Sequence, residues 1–366
     1  SMANRRVMTE IVATTSGLYP IPDPVKRELS ELKGHQKGDL LSGDESEAVA
    51  AAYDAARETV IADQIAAGLD RIVEGQLRWD DMLAHPLTLA EGVETGGIVR
   101  YYDNNNFYRD PQIVDEIQPS GDVGAELTAA TELLDREADF ETESGGSVAF
   151  EGDTAGSLQA VLPGPYTLAD LATDDYYDDE PELLAAVADL LAAEVESFPA
   201  HGTLFLNEPS YVVNPPGDGL DERASAAIDT VATATDADVV VNTYWDAFEE
   251  KPYAHLLDAA VDAVGFDFVA GDREQNRYCI NEYGTTDDVA LGLADGQNTL
   301  VEDAETVADR VAWVHDQTPQ ADFETVYVTQ NTETFYLPVN RHREKLAALA
   351  EGATLARDRL ETEVTA

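Results

Sequence analysis

A few polar residues stand where short apolar runs stop. Asn207 and Glu208 follow one run, Asn242 and Tyr244 flank the end of another, and Asp267 closes a third. Two carboxyl groups whose surroundings push their pKa values apart can divide acid and base roles on a small polar substrate. On that reading Asp267, Glu208 and Tyr244 are catalytic candidates, with Asn207 and Asn242 as their polar neighbours. A purely structural hydrogen-bonding role for the two carboxylates fits the same positions. Tyr101, Tyr102 and Tyr108 could wall a flat ligand or simply pack a hairpin onto a rim. Cys279, the only cysteine, follows Arg277-Tyr278 in a polar stretch and has no evident base partner, so it reads as an inert loop thiol. No two of His35, His85, His201, His255, His315 and His342 show metal-ligand spacing, which leaves them as surface or packing residues.

Something must hold these residues, and the composition says what kind of chain does. Of 366 residues 44% are hydrophobic, enough for a large core. Acidic residues number 73 against 22 basic ones, a formal net charge of -51, and they run along the whole chain instead of forming a tail. Such self-repulsion destabilises a compact state in dilute buffer, and molar salt relieves it by shrinking the Debye length to about 3 Å. The expectation is a cytoplasmic protein of a salt-loving, acidic proteome. Nucleic acid and anionic membrane are poor partners, because phosphate needs basic surface. One cysteine excludes a disulfide framework. No apolar run approaches a membrane span, no signal-peptide pattern opens the chain, and the leading Ser1-Met2 looks like a tag remnant.

Strand and helix signals alternate, as in α/β proteins with a parallel sheet. Eight apolar runs, at 11–15, 69–74, 158–163, 203–207, 238–243, 262–267, 288–294 and 324–330, each end in polar or Gly/Pro residues. Helical patterns at 46–66, 181–198, 220–235, 304–317 and 341–360 separate them; the first begins with a capping-box-like Asp44-x-x-Glu47 and closes at Gly68. The expected fold is an α/β (β/α)8 TIM barrel forming a single domain over 1–366. An antiparallel excursion at about 92–156 separates strands 2 and 3, built from 98–102, an asparagine turn, 147–151 and a helix near 123–137. In such barrels the functional residues sit at the C-terminal strand ends.

Read in order, those ends are Thr14-Thr15-Ser16-Gly17-Leu18-Tyr19-Pro20, Glu74-Gly75-Gln76-Leu77-Arg78 with Asp81-Met82, Gly164-Pro165-Tyr166-Thr167-Leu168, Asn207-Glu208-Pro209, Asn242-Thr243-Tyr244-Trp245, Leu291-Gly292-Leu293 with Val301-Glu302, and Thr332 through Leu337-Pro338. The series resembles the cobalamin-independent methionine synthases, within the wider group that includes uroporphyrinogen decarboxylase. That resemblance implies a barrel that binds homocysteine and activates its thiol on zinc. The family's ligands are a His-x-Cys pair, a Glu and a Cys. Their positions fall here on Asn242 and Tyr244, Asp267, and Thr332, so the resemblance implies a chain with no metal and no cofactor of its own. The substrate-binding positions it implies are Leu18, Arg78, Asn207, Asn242 and Thr332, with Leu18 and Asn207 replacing a hydroxyl and a carboxylate. Two functions follow. In one, this zinc-less barrel works with a zinc-bearing partner chain, and Tyr101, Asp103 and Trp245 contact a small-molecule methyl donor, a methylated pterin, or a corrinoid protein. In the other, a free-standing metal-free enzyme uses the strand-end carboxylates on a small polar substrate.

Overall fold

A computed structural model describes residues 8–30, 46–136, 139–142 and 144–365. Along the chain the strands are β1 (Glu10–Ala13), β2 (Glu91–Arg100), β3 (Phe107–Gln118), β4 (Asp139–Glu141), β5 (Ser147–Ala149), β6 (Gln159–Pro163), β7 (Thr173–Asp174), β8 (Thr203–Asn207), β9 (Asp238–Asn242), β10 (Ala263–Asp267), β11 (Asp288–Ala294) and β12 (Thr325–Gln330). Seven of them make one curled parallel sheet in the order β1-β12-β11-β10-β9-β8-β6. β6 and β8 are buried at all five residues, as strands covered on both faces must be. Helices connect consecutive strands; the longest described, Glu47–Ala67, Glu180–Glu196, Ala304–Gln317 and Val339–Thr365, pack outside the sheet.

The run expected as a second strand, 69–74, forms only an isolated bridge between Ile72 and Leu158. It nonetheless lies between the two ends of the sheet. Asp70 and Arg71 donate their N–H groups to Ala13 O (2.9 and 3.3 Å), Ile72 donates to Ser157 O, and Gln159 donates to Ile72 O (both 2.8 Å). Glutamine side chains supply what a regular ladder would. Gln64 brackets Val73, accepting from its N–H and donating to its carbonyl at 2.8 Å each. Gln76 accepts from Leu18 N–H (2.9 Å) and donates to Val161 O (2.9 Å). Gln159 donates to Thr15 O (2.7 Å) and accepts from Thr14 Oγ1 (2.8 Å).

The antiparallel excursion differs in detail from the expectation. β2 pairs with β3 across the asparagine turn, whereas Ser147–Ala149 pairs with Asp139–Glu141 in a separate two-stranded sheet. The intervening helix Ala125–Arg136 falls where expected. Cys279 is a correction: it sits in the helix Arg273–Tyr283, fully buried, with burial first among the causes that push its thiol up to about 11. Asp272 caps that helix by accepting from Glu274 and Gln275 N–H groups. The helix Glu47–Ala67 is capped by Ser46, which accepts from Val49 N–H, and Gly68 ends it at φ 87°; Asp44 and His35 lie outside the described residues.

Candidate functional site

At the C-terminal ends of the strands the parallel sheet delivers polar side chains onto its axis. Asn207 ends β8, Asn242 ends β9, and Tyr244 and Glu333 come from the loops after β9 and β12. They form one network. Asn242 Nδ2 donates to Asn207 Oδ1 (3.1 Å), and Asn207 Nδ2 donates both to Ser16 O (3.0 Å) and to Glu333 Oε1 (3.1 Å). The Tyr244 hydroxyl donates to the same Glu333 oxygen at 2.9 Å. Every member is buried, and burial pushes the Glu333 carboxyl up to about 8, against a smaller opposing effect of its hydrogen bonds. Glu333 Oε2 and Ser16 Oγ, both beside Asn207, have no hydrogen-bond partner.

Asp267 is the opposite case. Its Oδ1 accepts from Val269 and Ala270 N–H (2.8 and 2.9 Å), and its Oδ2 from Trp245 N–H (2.9 Å) and Asn331 Nδ2 (3.2 Å). Glu208 is held similarly: it accepts from Thr167 N–H (2.8 Å) and Tyr166 N–H (3.3 Å) at the first turn of the helix Pro165–Leu171. Gly164 is what lets it approach, since a Cβ there would lie 2.1 Å from the carboxyl carbon. Burial raises Glu208 to about 8, against the opposing pull of those bonds.

The other predicted residues are placed as follows. Leu18 is buried at φ 27°, its N–H on Gln76, and Thr332 Oγ1 donates to Glu333 O (3.0 Å). Arg78 points outward, to Glu126 at 2.7 Å and over the Tyr53 ring at 4.3 Å. Tyr101 is fully buried and donates to Asp81 Oδ1 (2.5 Å). Asp103 is exposed, while Trp245 is half-buried at φ 74° and reaches Gln297 through its indole N–H (3.3 Å). Trp245 touches the rings of Tyr101, Tyr102 and Tyr244, so the aromatic wall exists but is packed on itself. The predicted residues Asn207, Asn242 and Tyr244 thus meet, with Thr332 beside them, and Arg78 and Asp103 do not join them. Glu333, which links them, is missing from the candidates drawn from sequence.

A zinc ion does not fit this donor set. Of the four positions that the family resemblance sets against zinc ligands, Asn242 and Tyr244 donate within the network, Thr332 is bonded to backbone, and Asp267 already has four donors. None is a thiolate or imidazole. Among the described residues no group of three or more His, Cys, Asp or Glu side chains is arranged to hold a metal. Nor, among them, is any helix long and apolar enough to cross a membrane.

The model of the cobalamin-independent synthase N-terminal domain matches residues 92–319, more than half of the sequence. The chain belongs to that family. Relatives of this family member include a methionine synthase of Saccharolobus solfataricus, 22% identical over 347 residues that cover 95% of each chain. Another, from Thermoplasma acidophilum, is 23% identical over 299 residues, 79% of this chain and 75% of its own. A B12-independent methionine synthase from a Shewanella species, solved in complex with selenomethionine, shares the fold at a TM-score of 0.70 and 19% identity, over 97% of this chain and 99% of that one.

Proposed function

We propose that this member of the cobalamin-independent synthase family takes part in methyl transfer to homocysteine as a zinc-less barrel beside a zinc-bearing partner chain. One observation carries the reading: Asn242, Tyr244 and Thr332, three of the four positions that the family resemblance sets against zinc ligands, are spent on hydrogen bonds around Glu333, and the fourth, Asp267, is spent on donors of its neighbouring loops. The match to the family's N-terminal domain supports it, because the long family members carry an N-terminal barrel without the metal site. On this reading residues 69–74 complete an eight-stranded barrel between β1 and β6, the β2–β3 hairpin is an insertion before its third strand, and 1–366 is one domain. Its setting is the cytoplasm of a salt-rich cell. The methyl donor, a methylated pterin or a corrinoid protein, would meet the rim at Trp245 and Asp103, with Tyr101 bracing the wall from behind.

A free-standing acid–base enzyme is the weaker reading. It would use Glu208, Asp267 and Tyr244 at an open mouth, yet Leu18 and Tyr244 are fully buried and Phe335 half-buried across it. The deciding measurement is zinc by elemental analysis after purification in high salt, with a homocysteine titration alongside. No zinc and no homocysteine binding by the isolated chain is the expected result. Stoichiometric zinc would overturn the ligand assignment and make this chain a methyltransferase in its own right.

A further inference from the structure

The face opposite the Glu333 network carries a groove. An apolar hollow of about 600 Å³ lies between the helices Ala304–Gln317 and Val339–Thr365, over the beginnings of β1 and β12, with Val311, Val314, Phe323 and Leu360 in its lining. It opens into a wider trough of about 1500 Å³ whose walls carry Asp316, Asp322 and Glu363. Met8 and Thr9 line that trough, so the chain that precedes them sets out from inside it. Met8 is apolar and yet 56% exposed. The two arginines of the walls are already engaged. Arg357 donates to Ile11 O (2.7 Å) and reaches Asp70 (3.4 Å), while Arg359 pairs with Asp309 (2.8 Å) and Glu305. Among the described residues the side chains of Asp322 and Glu363 have no ion pair or hydrogen bond.

The sequence that leads into the groove is the chemical complement of its walls. Ala3-Asn4-Arg5-Arg6-Val7 holds two arginines and no acid, in a chain where acidic residues outnumber basic ones 73 to 22, and sets an apolar residue beside Met8. Extended chain advances about 3.3 Å per residue, which puts Arg5 and Arg6 within about 10 Å of Met8. The helical stretch from Arg357 to Glu363 along the same trough is about 9 Å long. We propose that residues 3–7 form a strap lying in this groove, with Arg5 and Arg6 against Asp322 and Glu363 and with Val7 over the apolar hollow. Continuity of the chain selects this occupant. A tethered segment meets its groove at an effective concentration of about a millimolar, so few contacts suffice. A second copy docked face to face about a two-fold axis would instead set Asp322 and Glu363 against their own images. The strap ties the beginnings of β1 and β12 to both flanking helices, and it stands apart from the methyl-transfer reading.

The test uses the full chain in molar KCl. In an Asn4→Cys variant a nitroxide attaches selectively, because Cys279 is buried with its thiol pushed up to about 11. The expected electron paramagnetic resonance spectrum is dominated by an immobilised component, which becomes mobile when Asp322→Arg and Glu363→Arg reverse the wall. Both wall residues are exposed, so that reversal should keep the wild-type circular dichroism. Arg5→Glu with Arg6→Glu should lower the melting temperature by at least about 3 °C, and combining it with the reversed wall should restore the loss. A label that is mobile on the unmodified wall, or one that stays immobilised when the wall is reversed, would overturn the strap. So would a melting temperature that the arginine variants leave unchanged, or a loss that the reversed wall does not restore. Self-association of the full chain, abolished by the reversed wall, would assign the groove to a second copy and overturn the proposed occupant.

Discussion

The ends of β10 and β12 flank β11 on either side and treat a buried carboxyl group in opposite ways. After β10, Asp267 meets four donors, three of them backbone N–H groups of two successive loops. After β12, Glu333 offers one oxygen to Tyr244 and Asn207 and leaves the other unpartnered. Asn331 spans the gap, donating to Asp267 and accepting from the N–H groups of Gly296 and Thr332. The difference is between a joint and a reserve. Asp267 fixes loop geometry and has nothing left for a ligand, whereas Glu333 holds polarity that the fold does not use. Retaining an unsatisfied polar atom in a buried place costs stability, so the β12 end is where function should be sought.

Breaking the joint should have the largest effect. Asp267→Ala strands four donors, of which Asn331 is buried and Trp245, Val269 and Ala270 belong to partly or fully exposed residues, so with about 0.5–1 kcal/mol for each the loss should be about 2–4 kcal/mol. Urea unfolding in molar KCl measures it, with Asp267→Asn as a milder variant that keeps two acceptor positions. A loss below about 1 kcal/mol would mean that water replaces the carboxylate and that no joint exists.

The reserve should respond to pH with the opposite sign of effect. Glu333 rises from its ordinary 4.5 to about 8 through burial, and burial also raises Glu74 and Glu208 to about 8. Between those values the native chain keeps protons that the unfolded chain has lost, so stability falls as pH rises from about 4.5 to about 8. Glu333→Gln keeps an acceptor oxygen for Tyr244 and removes one titrating group. It should flatten that fall and gain about 1–3 kcal/mol at pH 8. A denaturation series across pH with an unchanged slope would show that Glu333 is ionised in the native state. Smallest is Tyr244→Phe, which removes one of the two bonds to Glu333 and should cost about 1 kcal/mol while leaving the Asp267 corner intact. Loss of hydrogen-exchange protection at Trp245 in that variant would show the two corners to be one unit.

Much of this was legible in the sequence. Seven of the eight apolar runs became strands because buried parallel strands read as continuous Val/Ile/Leu stretches, as in Asp238–Asn242. The run at 69–74 has the same look, but its backbone bonds are split between Ala13 on one side, Ser157 and Gln159 on the other, and the Gln64 side chain at Val73, which no local pattern reveals. β3 was missed because Pro111 and its acidic residues mask a strand. The helix around Cys279 had a usable signal, with buried Asn276, Cys279 and Ile280 at helical spacing between an Asp272 cap and Gly284. Glu333 could not be singled out: its role exists only once β8, β9 and β12 bring Asn207, Tyr244 and its own loop together.

The glutamine seam between β1 and β6 has a consequence for how the molecule comes apart. Its bonds join segments 58, 85 and 144–145 residues apart, so none can form until both ends of the sheet are in place. With a single bridge behind them, the amides at residues 69–77 belong to the least cooperative part of the sheet. The curled sheet should therefore open first like a collar, along a line of uncharged amide clasps whose strength does not depend on salt.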